Sequence, residues 1–178
     1  MRLRTLPLSE AGVLTGMFLA MERGRVGLLT ALFLVLTTAL LQILSNLSNE
    51  LGDTLHGTDS GDRQGIRYSL QDGDMTVDQM KKLIATVACA CGLSGFLMIM
   101  FSFGTILAPA PAALILLGAA AIWAAMHYTL GDNPYGYRGL GDIFVFIFFG
   151  IVSVFGGYFV CSHDLSNLGA LIPASAIG

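Results

Sequence analysis

The chemistry of this chain gathers in one polar, mostly acidic segment, Asn46-Leu-Ser-Asn49-Glu50-Leu-Gly-Asp53-Thr-Leu-His-Gly57-Thr-Asp59-Ser-Gly-Asp62-Arg63. It follows directly from an uncharged apolar run, residues 26–45. Carboxylates and carboxamides at a membrane helix end are costly to keep unless they bind something. If the helix runs on, Asn46, Asn49 and Asp53 stand at i, i+3 and i+7 and share one face. Oxygen donors at that spacing suit a hard divalent cation such as Mg2+, which usually also takes oxygens from a substrate phosphate. The candidate metal ligands are Asn49, Asp53 and Asp59, supported by Asn46, Glu50 and Asp62. A solvated loop with ordinary surface acids explains Asp72, Asp74 and Asp78 well, but not a single-faced extension of a membrane span. An EF-hand is excluded, because Asp59-Ser-Gly-Asp62 lacks the alternating ligands and the closing glutamate.

Two further groups bear on the same chemistry. Arg63 and Arg67 follow the acids, and a guanidinium grips phosphate oxygens bidentately. Lys81 and Lys82 fit positive anchoring at the membrane surface better. Downstream, Tyr128-Thr-Leu-Gly-Asp-Asn-Pro-Tyr135-Gly-Tyr137-Arg138-Gly-Leu-Gly-Asp142 carries three tyrosines whose faces can stabilise a carbocation by about 0.5 to 2 kcal/mol. Asp142 can orient a substrate hydroxyl or Arg138. An interfacial aromatic belt with glycine turns accounts for this stretch equally well. His127 and His163 read as interfacial residues. His56 either touches the metal site or sits at a helix C-terminus, where the macrodipole favours it.

Taken together, these residues resemble the UbiA superfamily of membrane prenyltransferases. The acidic segment is similar to that superfamily's first Asp-rich motif, in the form N-x-x-N-D-x-x-D-x-x-x-G-x-D of the branch that prenylates 1,4-dihydroxy-2-naphthoate. Arg2-Leu-Arg4-Thr-Leu-Pro7, Gln71-Asp-Gly73 with Thr76, and Pro134 to Asp142 with the Phe-rich run behind it also agree with that branch. Glu50 stands where Asp is usual, keeping the charge on a longer arm. The resemblance implies an all-α, multi-pass transmembrane helical bundle, with about six of the family's nine helices present. It implies one membrane domain over residues 1–178, C-terminally incomplete, because the family's second acidic motif, D-x-x-x-D, follows the sixth helix. It places Asp53 and Arg67 in catalytic positions and Arg67, Arg63 and Arg4 at the diphosphate. The implied reaction is Mg2+-dependent transfer of a polyprenyl group from a polyprenyl diphosphate to 1,4-dihydroxy-2-naphthoate, with loss of CO2, giving demethylmenaquinone. The implied setting is the bacterial cytoplasmic (inner) membrane, and this chain alone is expected to be inactive.

The elements that must hold these residues are apolar helices. With 54% hydrophobic and 12% charged residues and mean hydropathy +0.73, this is not a soluble domain. About 20 apolar residues cross a bilayer, and residues 26–45, 83–103, 106–130 and 143–161 qualify without a formal charge. Leu6 to Met21, holding Pro7 and Glu10, predicts a shorter first membrane helix, and residues 168–178 a sixth that stops partway. A signal peptide is the other reading of this start. Glu10 within the apolar stretch and the lack of a small-residue cleavage site before Glu22 argue against it. Counting connections from the N-terminus, one face receives Arg2, Arg4, Arg63, Arg67, Lys81, Lys82 and Arg138, and the other Arg23 and Arg25. The positive-inside bias then puts the acidic loop in the cytoplasm.

Other features are quieter. Nine of the twelve carboxylates lie between Glu50 and Asp142, a pattern that speaks against nucleic acid, which wants a basic surface. Cys89, Cys91 and Cys161 lie in apolar spans and read as small packing residues. Gly12-x-x-x-Gly16 and Gly92-x-x-Gly95 suit close helix packing. Pro109 and Pro111 suit a helix entrance, where a missing N–H is tolerated. Dinucleotide fingerprints, phosphate loops, zinc-protease helices and nucleophile elbows are absent. Two other functions stay open on the residues alone. One is a related prenyltransferase with another aromatic acceptor. The other is a cation-coupled membrane transporter, which the loop-side position of the acids supports less well.

Overall fold

The computed structural model describes residues 5–57, 70 and 73–178. Every regular element among them is helical: α1 (Leu6–Met21), α2 (Leu28–Leu55), α3 (Val77–Phe103), α4 (Pro109–His127), α5 (Gly141–Ser162) and α6 (Leu171–Ile177). A 3-10 turn, Tyr135–Arg138, lies between α4 and α5, and another, Leu168–Ala170, leads into α6. The middle of α5, Phe146–Gly156, winds as a π-helix. The long helices α2 to α5 are all apolar enough to cross a membrane. Only 17 to 28% of the most apolar stretch of each is buried within the chain. Leu28, Leu107, Leu116 and Ile172 stand well exposed. Such surfaces are stable against lipid and not against water, so this is an integral membrane protein.

Local chemistry sets the helix ends. The α2 helix does not stop with its apolar run at residue 45. It continues through the acidic segment to Leu55, 28 residues in all. At 1.5 Å per residue that is about 42 Å, against about 30 Å of hydrocarbon, so the motif end reaches past the oil. The α3 helix starts at Val77, six residues before the apolar span, because Thr76 and Gln79 form a capping box. The Gln79 N–H donates to Thr76 Oγ1 at 3.3 Å, and the Thr76 N–H to Gln79 Oε1 at 2.9 Å. The α4 helix is shorter than its apolar span, opening at Pro109 and closing at His127.

Two seams organise the packing. Leu44, Leu47 and Leu51 of α2 bury against Met80 and Ile84 of α3. On the other side, α1 lies in contact with both α2 and α5. Val13 and Met17 pack on Leu34, while Gly12 and Gly16 meet α5 so closely that a Cβ would strike the Ser153 side chain and the Val154 carbonyl. The glycine pair expected to serve close packing therefore joins α1 to α5 within the chain. The three cysteines are free, with Cys91 buried against α2.

Candidate functional site

Continuation of α2 into the acidic segment puts Asn46, Asn49 and Asp53 on one stripe, the first met by Thr5 ahead of α1 and the other two by the connection between α4 and α5. Asn46 is buried. Its Nδ2 donates to Thr5 Oγ1 at 3.1 Å, and Gln42 Nε2 reaches Thr5 Oγ1 at 2.9 Å and Asn46 Oδ1 at 3.2 Å. Asn49 is half-buried against the segment that follows α4: Thr129 Oγ1 stands 2.9 Å from the Ser48 carbonyl oxygen and 3.1 Å from Asn49 Oδ1. Asp53, also half-buried, accepts from the Tyr137 hydroxyl at 2.7 Å. The approach of Thr129 depends on Gly52, where a Cβ would lie 2.5 Å from both the Cβ and the carbonyl oxygen of Thr129.

A cavity of about 400 Å3 opens beside this stripe. Thr5, Ser9, Gln42, Asn46 and Asn49 line its polar end, and Leu34, Met98, Leu117, Phe148 and Val160 its apolar depth. From Asn49 to Leu34 along α2 is about 22 Å. One wall is aromatic. Tyr128 and Tyr135 line it edge to face with centroids 5.4 Å apart, and Tyr135 stacks on Phe144 at 4.0 Å. Trp123 stacks behind Tyr135 at 6.4 Å and on His127 at 4.6 Å. The Tyr135 hydroxyl donates to the Ala124 carbonyl at 2.6 Å. Burial, with Tyr128 adding a smaller effect, pushes this phenol up to about 12, so it remains a neutral donor.

The sequence candidates distribute as follows. Asn46, Asn49, Tyr128 and Tyr135 line the cavity. Asp53 lies one turn beyond it, with Tyr137 on its carboxylate and the His56 ring edge-on to Tyr137 at 5.3 Å. Glu50 is buried off the stripe and accepts from the Leu70 N–H at 3.3 Å. Asp142 is exposed in the first turn of α5, while Arg138 donates to Asn133 at 2.6 Å rather than pairing with it. Asp59, Asp62, Arg63, Arg67 and Arg4 lie outside the described residues. Thr5, Gln42 and Thr129 join the site although the sequence singles out none of them. Thr5 and Thr129 fall inside the motif-bearing stretches 2–7 and 128–142, and Gln42 leaves only the signal of a carboxamide within an apolar span.

Asn49 and Asp53 offer a carboxamide and a carboxylate one helical turn apart, both hard oxygen donors. Among the described residues no three His, Cys, Asp or Glu gather to hold a metal. Such a sparse set fits Mg2+, which is commonly bound through one or two carboxylates plus water and substrate phosphate oxygens.

Comparison with known proteins adds an independent line. Over the whole chain, 43% of residues are identical to a protein of Escherichia coli (strain K12) named 1,4-dihydroxy-2-naphthoate octaprenyltransferase, of which the match covers 57%. Proteins of that name from Haemophilus influenzae and Mycobacterium leprae are 38% and 30% identical over 99% and 98% of the chain, and over 57% and 56% of their own lengths. The chain thus spans little more than half the length of these curated relatives. No protein-family model matches it, and no solved structure matches it.

Proposed function

Because this chain is a homologue, along its whole length, of proteins named 1,4-dihydroxy-2-naphthoate octaprenyltransferase, we propose that it binds a polyprenyl diphosphate and belongs to an enzyme that transfers the polyprenyl group to 1,4-dihydroxy-2-naphthoate. The observation that carries this reading is the cavity: the carboxamides of Asn46 and Asn49 at one end, and an apolar lining supplied chiefly by α4 and α5 beyond it, along a wall of α2 about 22 Å long. A diphosphate head with a hydrocarbon tail has that same polarity.

In this reading Asn49 and Asp53 hold Mg2+ with their oxygens, and Tyr137 orients the Asp53 carboxylate through the bond it donates. Bound there, the ion supplies Lewis-acid neutralisation of the diphosphate charge. Arg67, Arg63 and Arg4 share that charge by bidentate contacts. The allylic C–O bond breaks with its electron pair going to the diphosphate oxygen. The apolar lining keeps water from the allylic cation, and the faces of Tyr128 and Tyr135 stabilise it. The electron-rich naphthoate ring forms the new C–C bond and regains its aromaticity as the carboxylate departs as CO2, giving the quinol, demethylmenaquinol, whose separate two-electron oxidation yields demethylmenaquinone. The excess of Lys and Arg on the acidic side orients that end to the cytoplasm of a bacterial inner membrane, where a soluble diphosphate reaches it.

The test is Asp53→Ala in the complete enzyme purified in detergent, assayed with farnesyl diphosphate and 1,4-dihydroxy-2-naphthoate. Transfer is expected to vanish while membrane insertion is unchanged. Full turnover at saturating Mg2+ would refute the assignment of Asp53.

A further inference from the structure

Thr129 is buried, with 3% of its surface exposed, and has one hydroxyl proton. Two atoms compete for it: the Ser48 carbonyl oxygen at 2.9 Å and the Asn49 carboxamide at 3.1 Å. A carbonyl can only accept, so Ser48 takes the proton. A carboxamide can present either end, because its oxygen and nitrogen are nearly alike in size and the surrounding hydrogen bonds decide between them. Turning the Asn49 amide lets its NH2 donate to a lone pair of Thr129 Oγ1. That arrangement makes two full hydrogen bonds where the alternative shares one proton, and it turns the Asn49 carbonyl oxygen away from Thr129. Asn49 lines the cavity, so the oxygen freed by the turn is a donor available at its polar end.

We propose that Thr129 is a positioning residue that fixes the amide orientation of Asn49, so that the site presents an oxygen, not an N–H, to a divalent cation. The proposal rests on the metal role given to Asn49 above and assigns to Thr129 the specificity of that role. Gly52 is the second part of the device, since only a residue without a Cβ lets Thr129 come this close to α2.

The test measures Mn2+, a stand-in for Mg2+, by counting free ion with EPR as the purified protein is titrated with the metal alone. Outer partners of metal ligands typically contribute about 10- to 100-fold in affinity. Thr129→Val, which keeps the shape and loses the hydroxyl, is expected to weaken Mn2+ binding by that factor, and Thr129→Ser to restore it. In an Asn49→Asp background both terminal atoms are oxygens, so adding Thr129→Val is expected to change affinity less than twofold. A merely structural role for Thr129 would instead cost the same in both backgrounds, and that result overturns the proposal. Equal binding by wild type and Thr129→Val overturns the role of Thr129 alone. No binding by wild type overturns the metal reading of Asn49 and this proposal with it.

Discussion

Glycines bring backbones together at several places in this bundle, and two of these contacts serve different ends. Gly12 and Gly16 let α1 lie on the backbone of α5, with Val13 and Met17 filling the flank. Gly52 lets the segment after α4 lie on α2, but what arrives there is a hydroxyl bonded to Ser48 and Asn49. The first contact holds the bundle. The second holds the orientation of a polar side chain at the cavity. Small residues in a membrane helix thus serve packing or placement according to what the neighbour carries.

Substitutions can pull these roles apart. Gly16→Leu is expected to have the largest effect, because a side chain there meets α5 backbone that cannot rotate away. Overpacking of this kind costs about 1 to 3 kcal/mol or more, and the expected outcome is loss of a monodisperse species on size exclusion in detergent. Gly52→Ala adds one methyl against the Thr129 carbonyl oxygen and Cβ, so it should lower the thermal midpoint less than Gly16→Leu while remaining monodisperse, and lose about 10- to 100-fold in Mn2+ affinity as Thr129 is pushed off. If Gly52→Ala instead behaves like Gly16→Leu, the distinction between the two contacts fails. Tyr137→Phe removes one hydrogen bond to a half-buried carboxylate. Bonds to charged groups contribute about 1.5 to 3 kcal/mol when shielded, and less at this exposed hydroxyl. A loss of metal affinity below about tenfold is expected, read in the same titration.

The smallest effect lies at the far end of the bundle, where no metal role is assigned. Hydrogen bonds from Ser166 and Tyr158 hold Asp164 below its ordinary carboxylate value. A depressed folded value contributes stability that is fully present above the unfolded pKa, about 3.9, and is lost as pH falls through the folded one. Tyr158→Phe should therefore change the unfolding midpoint no more at pH 4 than at pH 7, apart from its packing cost, and less at still lower pH. A change growing toward acid would contradict this.

The stripe on α2 was legible because helical periodicity and the apolar run before it act within a dozen residues. The extent of α2 was foreseen only as a condition, a helix running on past residue 45, and the start of α3 was missed, because the apolar run begins at residue 83 whereas the Thr76 and Gln79 capping box starts the helix at Val77. The partners of the stripe were not legible. Thr129 meets Asn49 across 80 residues of chain, and Tyr137 meets Asp53 across 84. Nothing local in Tyr137 distinguishes a ring that faces a cation from a hydroxyl that holds a carboxylate. Only the turn Tyr135–Arg138, with Gly136 packed under the Tyr128 carbonyl, decides between them.

Trp123 is the sole tryptophan of the chain, stacked on His127 and lying behind Tyr135 at the cavity wall. Its emission is therefore a label already built in. Filling the cavity with an isoprenoid tail should alter the fluorescence of this one indole, and so allow occupancy to be followed in real time without any chemical tag.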